Sequence, residues 1–135
     1  MNESNISLVI RLGYLQDVDF FVEHQNIIDK YGFVDLCVFT RRNPSMLKYN
    51  ETMFVKEAKK SGDRLFKVKI ESIKEVGEKY PDYYKKFDLV NRVWIRINSL
   101  EIIDIDDFLN EYSSLSGKSI QSILKSSTTS FGVHN

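Results

Sequence analysis

The sequence predicts an α+β fold, a strongly bent mixed sheet or partly closed barrel with short helices at its rim. Three observations carry this expectation. MFVKEA and RLFKVKIESI flank the turn KKSGD, which is the pattern of a hairpin. RVWIRINSLEII then resumes a period of two. Helical spacing occurs once after the first strand and again in the last third, so strands and helices do not alternate as a doubly wound parallel sheet requires.

In chain order, SLVIRLGYL alternates around Arg11 and predicts a strand from about Ser7 to Leu12. Asp17 or Asp19 can cap the helix that follows, whose Phe20, Val22 or Glu23, Ile27 and Ile28 approximate helical spacing before Gly32 ends it. FVDLCVFT from Phe33 is rich in strand formers, and its almost unbroken apolar character predicts a strand covered on both faces. RRNPSMLKYNE is a connection, and the hairpin comes next. In the hairpin's second arm Phe66, Val68 and Ile70 point one way while Lys67, Lys69 and Glu71 point the other. A loop follows, in which Pro81 has no amide to give a sheet and the tyrosines keep no period. In RVWIRINSLEII, Val93, Ile95 and Ile97 are expected inward, with Arg92, Trp94 and Arg96 on the opposite, polar face. One or two short helices around Gly117 follow, capped by Asp104 or Asp106 and by Ser116, and TTSFGVHN can add a last strand. The count is about six strands.

At 135 residues, with 42% hydrophobic and 28% charged, the chain has the size and composition of one globular domain spanning 1–135. No apolar run reaches the roughly 18 residues that cross a bilayer, and MNESNISLVIRL lacks the basic flank of a secretion signal, so no membrane role and a cytoplasmic location are expected. The single cysteine, Cys37, has no partner for a disulfide or zinc knuckle and is expected to be a small core residue. Nineteen basic residues balance nineteen acidic ones, which removes the generic field that draws a protein to nucleic acid. Any such binding must be local, and Arg41–Arg42, Lys59–Lys60 and Lys85–Lys86 are either local patches or ordinary solvated charges.

Enzyme chemistry finds little support. Nucleophilic catalysis by Cys37 or a serine needs a base, and the histidines are His24, on the first helix, and His134, expected to fray near the end. A histidine on a helix is more often satisfied or exposed than catalytic. No His/Cys pair stands at metal-ligand spacing, and Asp104, Asp106 and Asp107 suit helix capping. Gly62, Gly77 and Gly117 are isolated and serve turns, so no phosphate loop is present and no cofactor or metal is expected. Glu78 and Asp82 are a carboxylate pair of a kind found in any polar loop.

Recognition is what the remaining residues suit. Tyr80, Tyr83, Tyr84, Phe87 and Trp94 offer flat surfaces on which a base can stack, with Arg92 and Arg96 available to phosphate or a base edge. The bland alternative is that the tyrosines plug one end of the barrel and a helix covers Trp94. The two accounts part on whether these rings line a hollow open to water.

From Gly62 to His134, the hairpin strand, Tyr80-Pro81-Asp82, the strand bearing Trp94, and the helices before a closing strand resemble the second half of EVE-type domains of the PUA-like superfamily. SLVIRLGYL and the longer first helix depart from that family's opening. The resemblance implies a PUA-like pseudo-barrel and a module that binds RNA or reads a modified or turned-out DNA base without catalysis. Such a module commonly gives specificity to a larger restriction or RNA-modification system, with a catalytic subunit or fused effector domain as partner. By that likeness Tyr80, Tyr83 and Trp94 would stack, Asp82 would accept from a base amino group, and Arg41, Arg42, Arg96, Ser126, Ser127 and Thr128 would hold phosphates. A protein-interaction or regulatory module and a small enzyme acting on a nucleotide-like ligand are the rival readings.

Overall fold

A computed structural model describes residues 6–12, 18–38, 51–57, 64–86, 89, 93–125 and 130–135. The fold is α+β. Its strands are β1 (Ile6–Leu12), β2 (Val34–Val38), β3 (Thr52–Glu57), β4 (Leu65–Lys74), β5 (Val93–Ile103), β6 (Ser113–Ser114) and β7 (Ser130–His134). Its helices are α1 (Phe20–Tyr31), α2 (Ile105–Glu111) and α3 (Ile120–Lys125), with a 3₁₀ turn at Asp82–Lys86. The strands form one sheet in the order β2-β5-β4-β3-β1-β7-β6. β1 and β3 run parallel and the other described pairs antiparallel. Among the described residues β2 and β6 end the sheet and do not pair, so it is open and mixed.

The local chemistry fixes several boundaries. Asp19 accepts from the Val22 amide at 3.1 Å and starts α1, and Gly32 stops it at φ 84°, a left-handed conformation that a side chain would oppose. Asp104 caps α2 in the same way through Asp107 N. The hairpin pairs β3 with β4 from Thr52↔Lys69 to Lys56↔Leu65, with Phe66 and Val68 buried and Lys67 and Lys69 exposed, as the alternation predicts. β4 and β5 shift register around Ile70, where bulges bend a sheet. The strand not anticipated is β6, two residues between α2 and α3 that pair with the end of β7. That pairing and Ile6↔His134 hold His134 in the ladder, where fraying was expected. Ser119 begins α3, rather than Ser116, with its carbonyl accepting from Ile123 N.

The sheet buries apolar surface on both faces. α1 lays Phe20, Ile27 and Ile28 on Leu36, Met53, Val55, Phe66, Val68, Ile95 and Ile97. On the other face, α2 and α3 cover Val9, Phe54, Leu65 and Val133 with Phe108 and Ile120. A third cluster, Cys37, Tyr84 and Trp94 with Tyr80 and Tyr83 against it, lies where residues 77–86 wrap the β2 edge. Strand β2 is therefore covered on both faces although it ends the sheet. No helix among the described residues is long and apolar enough to cross a membrane.

Candidate functional site

Residues 77–86 are held by groups far away in sequence. Asp35, fully buried in β2, accepts from the amides of Glu78 at 2.7 Å and Lys79 at 3.3 Å, and its own amide donates to Lys79 O at 2.8 Å. Arg96, across the β2–β5 pair, donates Nε and Nη2 to the same carboxylate at 2.8 and 3.2 Å. Burial alone would raise the Asp35 pKa, but the bonds from Arg96 and the two amides outweigh it and hold the carboxyl below its ordinary value. The Tyr84 hydroxyl also shares a hydrogen bond with the Cys37 backbone. The segment thus caps the open edge of β2, which would otherwise present unpaired backbone groups to other chains.

A second fastening joins this segment to α1. His24 Nδ1 lies 2.7 Å from Phe20 O, which can only accept, so Nδ1 carries the proton. Nε2 is then the acceptor and takes the Tyr84 hydroxyl at 2.5 Å. His24 is a satisfied core histidine. Burial lowers its pKa to about 4, against the Phe20 hydrogen bond, which acts the other way. Because the unfolded chain binds this proton at an ordinary pKa near 6.5 and the folded chain does not, the neutral imidazole's contribution is complete above that value. It is lost as pH falls towards 4. Stability is expected to drop by about 3 kcal/mol across that interval in denaturant titrations. The slope should disappear in His24→Gln; a slope that survives the substitution belongs to other groups.

The predicted site residues separate into two sets. Trp94 is 3% exposed, with Tyr80 at 5.0 Å and Tyr84 at 6.2 Å between ring centres, and a Cβ added to Gly77 would lie 2.4 Å from its ring. Its place on a polar face is therefore corrected. Trp94 does oppose Ile95 by alternation, but residues 77–86 cover that face too, and Gly77 is the residue that lets the backbone lie flat on the indole. Tyr83 is half-buried, edge-on to Tyr84 and His24. Burial, then Glu23 and Glu57, raise its pKa. Arg96 is engaged by Asp35, by Glu78 at 3.1 Å and by the Phe33 ring, 3.9 Å below its guanidinium. Arg41, Arg42, Ser126, Ser127 and Thr128 lie outside the described residues, as do Phe87 and Arg92.

Tyr80 and Asp82 stand apart from these. They line a cleft of about 480 Å³ between α1 and residues 77–85, a volume in the range of small-ligand sites. α1 contributes Glu23, Asn26, Lys30 and Tyr31, and the opposite wall adds Glu78, Lys79 and Lys85. Tyr80 rests on Tyr84 at 5.8 Å, nearly parallel, so a buried aromatic layer backs the one ring of the third cluster that reaches the cleft. Lys79 Nζ lies 4.5 Å and Lys30 Nζ 5.2 Å from the centre of the Tyr31 ring. Asp82 and Lys85 face each other at 3.7 Å, almost wholly in solvent. Among the described residues no group of three His, Cys, Asp or Glu side chains is placed to hold a metal ion.

Sequence reasoning passed over Asn26, Lys30, Tyr31 and Lys79. The available signal was that Lys30 and Tyr31 end a helix whose apolar face is spent by Ile28, leaving both directed outward next to Gly32. In comparisons with family models, curated proteins and solved structures, none matches the chain.

Proposed function

We propose that the protein is a non-catalytic nucleic-acid-binding module that receives one base, modified or turned out of its strand, in the cleft between α1 and residues 77–85. In this reading it acts in the cytoplasm as the specificity part of a modification-dependent restriction or RNA-modification system, and its sheet is an open form of the PUA-like pseudo-barrel. The bulged β4–β5 pair and the mixed pairing of β1 with β3 and β7 support that last point.

The observation that carries the reading is Tyr80, a half-buried ring in the cleft wall, held from behind by Tyr84 and Trp94. A ring fixed in this way loses little freedom when a base stacks on it. Asp82, exposed at the same wall, can accept from an exocyclic amino group. The cleft lining carries Lys30, Lys79 and Lys85 against Glu23, Glu78 and Asp82, so its charges cancel. The phosphate footprint is accordingly small, and binding to ordinary duplex should be weak and fall only gently with salt.

Labelled oligonucleotides bearing ordinary and modified bases test this. The protein is expected to discriminate among them, and Tyr80→Ala to weaken the preferred one by roughly five- to a hundredfold, the worth of one stacked base. Tyr80→Phe should keep most of the affinity, and both variants should melt as cooperatively as the parent. Indifference to every oligonucleotide, or affinity untouched by Tyr80→Ala, removes the proposal and favours a partner-binding module.

A further inference from the structure

We propose that the cleft contains a seat for one phosphate group, formed by the ammonium groups of Lys30 and Lys79, which both line the cleft and both approach the Tyr31 ring. The inference rests on the nucleic-acid reading for the phosphate's source, although the seat's chemistry stands without it.

The two lysines come from different elements, α1 and the wrapped segment, yet both ammonium groups lie about 5 Å from the centre of one ring. Tyr31 is 43% exposed, so the ring that both approach is open to solvent. Among the described residues neither lysine has a carboxylate within ion-pair distance. The nearest candidate in sequence, Glu78, is taken by Arg96. The ring faces attract the cations but do not neutralise them.

Placement of Lys79 does not depend on its side chain. Its amide and carbonyl are both bonded to Asp35, so the backbone from which the ammonium group extends towards Tyr31 is fixed before any ligand arrives. Lys30 has a simpler partial account, since a cation in the last turn of a helix offsets the negative end of its dipole. That account covers only the helix residue. The same dipole end opposes an anion, but it amounts to about half a charge against two full ammonium charges.

The seat also fits the rest of the site. Of the cations that line the cleft, Lys85 is paired with Asp82, which leaves Lys30 and Lys79 as the described cations of the cleft without an ion-pair partner. Lysines act as flexible point charges and impose no fork geometry, so a monoester, a diester and inorganic phosphate all qualify.

The full-length chain is titrated at low salt, with amide NMR shifts as the readout, using inorganic phosphate, a nucleoside and the corresponding nucleoside 5′-monophosphate. The monophosphate is expected to bind about tenfold more tightly than the nucleoside. The advantage should vanish in the Lys30→Gln/Lys79→Gln double variant, which should still melt in one cooperative transition, only modestly below the parent. Inorganic phosphate should move the amides near 30–31 and 79 in the parent only. Equal binding of nucleoside and monophosphate, or an advantage that persists in the double variant, overturns the seat. Oligonucleotide binding that depends on Tyr80 but not on the lysines would keep the base reading and discard the seat. Lysine-dependent capture of inorganic phosphate with no response to nucleosides or oligonucleotides would do the reverse, and silence toward every probe discards both.

Discussion

Trp94→Ala is expected to destabilise the protein by about 3–5 kcal/mol, the usual cost of removing a large buried aromatic. The indole is 3% exposed and packed by Tyr80, Tyr84 and Gly77, so its loss leaves a cavity whose walls are fixed by the Asp35 and His24 attachments and cannot readily collapse. Chemical denaturation followed by circular dichroism measures the cost. In the parent, Trp94 is the only tryptophan and reports directly on the wrapped segment, because its emission should shift to the red when residues 77–86 detach. The contrast with Tyr80→Ala is the informative part. An indole that served as an open stacking plate would cost less than about 0.5 kcal/mol on truncation, as surface substitutions do, and would affect binding alone. An indole that backs Tyr80 costs stability first, and weakens the cleft only by loosening its wall.

What the sequence made legible was local. The Asp19 cap, the Gly32 stop and the alternation of the β3–β4 hairpin each depend on neighbours within a few residues, and each is where local chemistry placed it. The environment of Trp94 was hidden because its flanks, Arg92 and Arg96, mark a wet face, while the cover comes from a segment pinned by a carboxylate 43 positions away. A clue was nevertheless present. Asp35 interrupts an apolar strand that reads as covered on both faces, and a buried carboxylate requires a cation and further donors. Arg96 occupies the matching position on the neighbouring strand, but only the register reveals it. His24 was legible in the same limited sense: it falls four residues after Phe20, on the side of α1 that meets the sheet, yet its partner Tyr84 is 60 positions on. The tyrosines were recognised as a group, but not that Tyr84 would turn inward while Tyr80 reached the cleft, since that depends on how a non-periodic loop is tied at both ends.

Asp35→Ala should cost about 3–5 kcal/mol, because it leaves a partly buried guanidinium without its main partner and two loop amides without an acceptor. Asp35→Asn separates these effects. The amide keeps one oxygen for the Glu78 and Lys79 backbone but loses the charge that faces Arg96, so an intermediate loss is expected. Replacing the pair together, Asp35→Leu with Arg96→Met, should recover part of what Asp35→Ala loses, since neither charge is then stranded. It should not restore the cleft, because the loop amides remain unanchored and Lys79 and Tyr80 are no longer held in place. The acid side of the stability curve gives an independent check. A depressed carboxyl contributes fully above the ordinary aspartate value and is lost as pH falls through its lower folded value, whereas the His24 contribution disappears at higher pH, between about 6.5 and 4. Asp35→Ala should therefore abolish the later, more acidic loss and leave the earlier one in place. A variant that unfolds like the parent at neutral pH, with both acid losses unchanged, would show that the wrapped segment is held by its aromatic packing and that the buried carboxylate is incidental.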